Sequence, residues 1–243
     1  MRAGWVLTWC LIGCGAEIGG DEDTDARPAA AIDAGVDLPD AVAPADAATG
    51  EMQTSVFSVP DVIDTFVRLS EPTFNFGARD RMCADTTTDD RRILFHIDVS
   101  ALPVGTQVVD ATMHLWTGTS TNDLSTQTFS FYPLLEAWDE GNLDGVAGTA
   151  SWNERKPGTA WTVTGAGVGS RGEQVVGSFT PAALDTDYAV ALDPSVVSGW
   201  IEDAGSNFGL VLVAAGQDGG CFDTTENATA GKHPTLVVRW IAP

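Results

Sequence analysis

Basic residues are scarce in this sequence. Twelve Lys and Arg stand against 34 Asp and Glu, giving a formal net charge of −22. That balance argues against a nucleic-acid partner, whose phosphates need a basic patch. It also weighs against a strongly anionic ligand, unless a local basic groove overrides the global charge. Proton-transfer residues are few as well: His96, His114, His233, Tyr132 and Tyr188 make up the whole supply. They form no recognisable acid–base constellation. The carboxylates are abundant but show no paired pattern. No Gly-x-Ser-x-Gly, His-Glu-x-x-His or phosphate-loop motif occurs. The sequence therefore reads as non-enzymatic. Long apolar runs are also missing, since the stretch at residues 5–12 falls well short of the roughly 20 residues a bilayer-spanning helix needs.

That short apolar stretch follows Arg2 and precedes small residues, which is the arrangement of a secretory signal. Leu11-Ile12-Gly13-Cys14 resembles the lipobox of bacterial lipoproteins. The resemblance implies cleavage before Cys14, acylation of its thiol, and a chain anchored to a membrane by lipid. Gly15 after the Cys resembles the pattern of lipoproteins sent to the outer membrane, which implies an outer-membrane or extracellular, cell-surface location. Residues 14–55 then read as a tether. They are rich in Ala, Asp, Pro and Gly, and residues 19–50 have no aromatics and one base, Arg27. Such a segment cannot bury enough apolar area to offset its ordering entropy, so disorder is expected. The expected organisation is a signal at 1–13, the tether at 14–55 and one folded domain at 56–243.

Within the domain the apolar residues alternate. Ile93, Phe95, Ile97 and Val99 oppose Arg92, Leu94, His96 and Asp98; Ala111, Met113 and Leu115 oppose Thr112, His114 and Trp116. Further strands are expected at 63–69, 129–135, 174–180, 188–192, 209–214 and 235–241. Residues 194–204 read as the one helix, with Asp193 as N-cap, Pro194 at its first position and Gly205 just past its end. About eight strands and one short helix predict an all-β fold, a jelly-roll β-sandwich preceded by a disordered tether.

Of the four cysteines, Cys10 falls in the signal and Cys14 takes the lipid. Cys83 and Cys221 remain, an even pair suited to a disulfide in an oxidising compartment. Two separate buried thiols are the alternative. A zinc site lacks both a Cys-x-x-Cys and a nearby His pair.

Several short stretches, in order, resemble the DNRLRE-type domain, also classed as carbohydrate-binding module family 96. They are Asp64-Thr65-Phe66-Val67-Arg68, Asn75-Phe76-Gly77, Arg92-Ile93-Leu94-Phe95, Ala111-Thr112-Met113-His114-Leu115, Trp138-Asp139-Glu140-Gly141, Trp152-Asn153, Asp193 with Trp200, and Pro234-Thr235-Leu236-Val237. The family's closing Ser-Arg-Glu is reduced to Thr225-Glu226, and the Cys83/Cys221 pair is an addition. The resemblance implies a jelly roll that binds polysaccharide, alginate being among the family's ligands.

Sugar recognition needs aromatic faces and planar polar groups. With Ile93, Phe95, Met113 and Leu115 turned inward, Arg92, His96, His114 and Trp116 would face out, with Arg68 on the same side. These five are the expected ligand-binding residues, while Trp138, Trp152 and Trp200 read as core or loop anchors. Calcium, which takes six to eight oxygens, is the one cofactor with candidate ligands. They are Asp139, Glu140 and Asp144, with Asn142 beside them; Asp85, Asp89 and Asp90 form a second acidic group. The expected partners are a polysaccharide and, through the lipid, a membrane. A structural or adhesive role through protein contacts is the competing reading, and no protein partner is identifiable from the sequence.

Overall fold

The computed structural model describes residues 50–243. The signal, Cys14 and nearly all of the expected tether lie outside the described residues.

Eleven strands and one helix make the frame. They are β1 (Met52–Phe57), β2 (Val62–Arg68), β3 (Arg81–Ala84), β4 (Arg91–Ile97), β5 (Gln107–Trp116), β6 (Phe129–Pro133), β7 (Gly177–Phe179), β8 (Asp187–Leu192), α1 (Pro194–Glu202), β9 (Leu210–Ala214), β10 (Gly220–Asp223) and β11 (Thr235–Ile241). One sheet has the order β1-β11-β5-β8 and the other β7-β6-β9-β4-β2, with every neighbouring pair antiparallel. Phe95, Phe131, Leu210 and Leu212 from the second sheet and Met113, Leu115 and Leu236 from the first are fully buried in one shared core. The domain is thus the expected all-β sandwich with one short α-helix.

The two sheets differ in what covers them, and the sequence pattern follows. Along β5, burial alternates strictly from Ala111 to Trp116, because the outer face of the four-stranded sheet is open. Along β9, Leu210-Val211-Leu212-Val213-Ala214 is apolar throughout, because both faces of the five-stranded sheet are covered. Its outer face carries a second apolar cluster in which Val67, Leu94 and Val211 pack under Trp138, Trp152 and Trp161. The tryptophans arrive on the long excursion between β6 and β7. Trp138 and Trp161 are pinned there by indole N–H bonds to the carbonyls of Phe208 (3.1 Å) and Ser151 (3.0 Å). Trp138, Trp152 and Trp200 are all buried, as expected of anchors.

Several boundaries differ from expectation. The first strand begins at Met52, inside the expected tether, as an edge strand whose residues up to Val56 are mostly exposed and carry little apolar signal. The helix stops at Glu202, because Asp203 starts a new tight turn by accepting from the Gly205 amide at 3.0 Å. Asp193 caps its start as expected, accepting from the Ser195 amide at 3.0 Å. The ribbon β3–β10 has no counterpart in the expected strands. Its members are four residues each, and Arg81 and Cys83 interrupt the apolar pattern.

Cys83 and Cys221 lie directly opposite in that ribbon and form a disulfide, resolving the choice between bridge and separate thiols.

Candidate functional site

Beside the ribbon, where β2 ends and β4 begins, a cavity of about 320 Å³ opens between Phe66, Arg68, Arg79, Arg81, Cys83, Arg91, Asp80 and Asp144. Four of the chain's 12 Lys and Arg line it. Register explains part of the gathering: Arg68 pairs with Arg91 across β2 and β4, so both side chains leave the same end of the sheet on the same face. Arg81 comes from β3, two residues before Cys83, and Arg79 from the turn that precedes it.

Each guanidinium is held by at least one carboxylate. Arg68 meets Asp89 and Glu71, at 2.5 and 2.9 Å, and Arg91 meets Asp89 at 2.8 Å. Arg79 meets Asp144 at 2.6 Å, and Arg81 pairs with the buried Asp123. Burial pushes the Asp89 carboxyl up, but hydrogen bonds from Arg68, Ser70 and Arg91 outweigh it and hold the group well below its usual range. Arg79 also lies over the Phe76 ring, 4.9 Å from its centroid. These contacts leave donors over, since each guanidinium has five. The Nε atoms of Arg81 and Arg91 are buried with no hydrogen-bond partner. Burial lowers the pKa of Arg81, and the nearby charge of Arg91 adds to the effect. Each cation already has a carboxylate partner, so a bound anion would engage the N–H groups that these pairs leave free rather than the buried Nε atoms.

The cavity wall is stiff. Asn75, fully buried, donates to the carbonyls of Glu140 (2.7 Å) and Ala150 (3.0 Å) and accepts from the Leu143 amide (2.9 Å). It thereby holds the loop that presents Asp144 to Arg79. Gly141, at φ +77°, is forced there, because a Cβ would lie 2.0 Å from the Thr149 carbonyl. Beneath this loop Glu140 accepts from the Asp64 amide at 2.9 Å, and Asp64 accepts from the Thr225 amide at 2.9 Å. Burial pushes Glu140 up to about 7 and Asp64 well above the usual carboxylate range, with Glu226 nearby adding to both.

The five expected ligand-binding residues do not share one surface. Arg68 is in the arginine cavity. Because Val67 is the register partner of Arg92, Arg92 lies on the opposite face of the sheet from Arg68. There it packs over Trp152, 5.0 Å from the ring, and pairs with Asp90 at 2.6 Å. His96 shares that face but opens on a different cavity, beside Trp200 and Asn207, and burial lowers its pKa. His114 and Trp116 are on the open face of the other sheet. His114 meets Asp187 at 2.8 Å, and Lys232 covers Trp116 at 5.2 Å from its ring. The grouping assumed that both sheets turn their polar faces to one side, whereas the faces outside a sandwich point away from each other.

The expected calcium ligands are likewise engaged elsewhere. Asp139 pairs with Lys156 at 3.1 Å, Glu140 holds the Asp64 amide, and Asp144 holds Arg79. Among the described residues no group of three or more His, Cys, Asp or Glu is placed to hold a metal ion. The residues do not fit the ion.

Arg79, Arg81 and Arg91 were missed at the level of sequence. Their signal was present in Arg79-Asp80-Arg81 and Arg91-Arg92, two clusters of bases in a chain that has few.

The family model described as carbohydrate-binding module family 96 matches residues 55–239. No curated protein matches the chain.

Proposed function

Since the chain belongs to carbohydrate-binding module family 96, we propose that it is a cell-envelope lipoprotein that binds an acidic polysaccharide through the arginine cavity, without acting on it chemically. The observation that carries the choice of ligand is the concentration of Arg68, Arg79, Arg81 and Arg91 around one concavity in a chain of net charge −22. A sugar carboxylate matches the planar fork of a guanidinium, and Phe66 supplies an apolar wall. Asp89, Glu71, Asp144 and Asp123 neutralise these arginines in the free protein, so the attraction comes from their spare donors and from exchange of a carboxylate partner for a sugar carboxylate, not from net positive charge.

The envelope location rests on Leu11-Ile12-Gly13-Cys14. In this reading the lipid on Cys14 anchors the chain to the outer membrane, and residues 14–51 carry the sandwich off its surface. Labelling with a clickable fatty acid tests it: label lost on Cys14→Ala supports lipidation, and label retained refutes it.

The test of binding is native affinity electrophoresis of the full chain in non-ionic detergent, through gels containing polyuronate, sulfated or neutral polysaccharide. Retardation by an acidic polymer, abolished by Arg79→Ala, whose partner Asp144 is exposed, is the expected result. Retardation by neutral polymers alone would refute the arginine reading. No retardation by any polymer would shift the weight to a structural or adhesive role.

A further inference from the structure

The arginine cavity continues into others. It shares Cys83 and Arg91 with a second cavity of about 250 Å³, which reaches Thr121 and Asp218. That second cavity shares Thr121, Leu124 and Asp218 with a third, of about 270 Å³, walled by Ser125 and Thr126. The three adjoin in series through these shared walls, and we take the run of cavities, from the turn carrying Arg79, past the disulfide, to the loop carrying Thr126, as a groove.

The chemistry changes along it. Four arginines with Asp80 and Asp144 line the first cavity, Arg91 with Asp85 and Asp218 lines the second, and the third has no base at all. Asp218 accepts from the amide and hydroxyl of Thr126, at 2.7 and 2.9 Å, and these bonds hold its pKa below the usual value. The far end therefore presents a fixed carboxylate and hydroxyls. Such a surface accepts hydroxyl donors from a neutral sugar and repels a sugar carboxylate.

Resting on the proposed arginine site, we infer that the groove binds a linear glycan over several units, with an acidic unit at the arginine end and uncharged units at the Thr126–Asp218 end. The preferred ligand is thus an acidic heteroglycan rather than a homopolymer of uronate. The groove also runs across the outer side of the Cys83–Cys221 bridge, which ties together the strands forming its floor.

Titrating the full chain with three probes tests this, read by NMR shifts and calorimetry. The probes are glucuronate, a uronate homotetramer, and a tetrasaccharide bearing one uronate on three neutral pentoses. Glucuronate is expected to bind weakly, the mixed tetrasaccharide at least tenfold more tightly, and the homotetramer several-fold more weakly than the mixed one. Asp218→Asn is expected to narrow the gap between the two tetrasaccharides. Equal affinity for glucuronate and the mixed tetrasaccharide would confine recognition to the first cavity and overturn the groove while leaving the arginine site standing. Preference for the homotetramer would overturn the neutral end. No binding of any probe would overturn the arginine reading itself, and this inference with it.

Discussion

Cys83 faces Cys221 directly across a two-stranded ribbon, their Cα atoms 4.1 Å apart and 138 residues distant in sequence. The inward residues of the ribbon, Met82, Ala84 and Phe222, are fully buried in the main core. The bridge lies on the other side, where Cys83 lines the arginine cavity. Replacing both cysteines by alanine should cost about 2–5 kcal/mol through the unfolded chain's regained freedom, while the native fold persists on its remaining core. Urea denaturation and circular dichroism measure this. A double variant as stable as the parent would contradict it.

The tryptophan cover is a second core rather than a decoration. Trp161 is 4% exposed and packs in the same cluster as Leu94 and Val211. Trp161→Ala should destabilise by about 3–5 kcal/mol. Thermal unfolding gives the answer, and a change below ~1 kcal/mol would mean that the excursion rests loosely on the sheet.

Trp116 is among the ligand-binding residues expected from the sequence, and the structure predicts little from it. It sits under Lys232 on the open face of the four-stranded sheet and does not line the arginine cavity. Trp116→Ala should leave binding of acidic polymer within twofold of the parent in affinity electrophoresis. Abolished binding would move the site to that face.

Glu140 links stability to pH. A carboxyl whose pKa rises on folding holds more protons in the native than in the unfolded state. Stability therefore falls as pH climbs from the unfolded pKa near 4.5 through the folded value of about 7. Asp64, raised in the same direction, reinforces the trend. Discounted for the screening that partial exposure allows, the Glu140 share is on the order of 1 kcal/mol. The melting temperature should be higher at pH 5.5 than at pH 8, and Glu140→Gln, whose amide oxygen still accepts from Asp64, should flatten the difference. A melting temperature that rises toward pH 8 in the parent would sink this.

What could be read in the sequence depended on which faces meet water. Met113 and Leu115 against His114 and Trp116 announced a half-buried strand because the outer face of that sheet is open. The sandwich, the helix cap at Asp193 and the core direction of Ile93, Phe95 and Ile97 followed from such local periodicity. The tryptophan cover did not, since nothing periodic at Trp138 or Trp152 says which sheet face they roof. The site was least legible of all. Arg68 and Arg91 meet through strand register, and Arg79 and Arg81 join them through a ribbon closed by residues 138 apart. Those are long-range facts, whereas assigning outward residues to one common face used only local parity. That parity put Arg68 with Arg92, when the register puts it with Arg91.

The most direct test of acidic-glycan binding in the arginine cavity is calorimetric titration of the full chain with an acidic oligosaccharide, comparing the parent with Arg79→Ala and Arg91→Ala at low and high salt. Saturable binding to the parent that weakens as salt rises is expected, with a loss of at least tenfold in each variant while the fold stays intact. Equal binding by parent and both variants would contradict binding in that cavity.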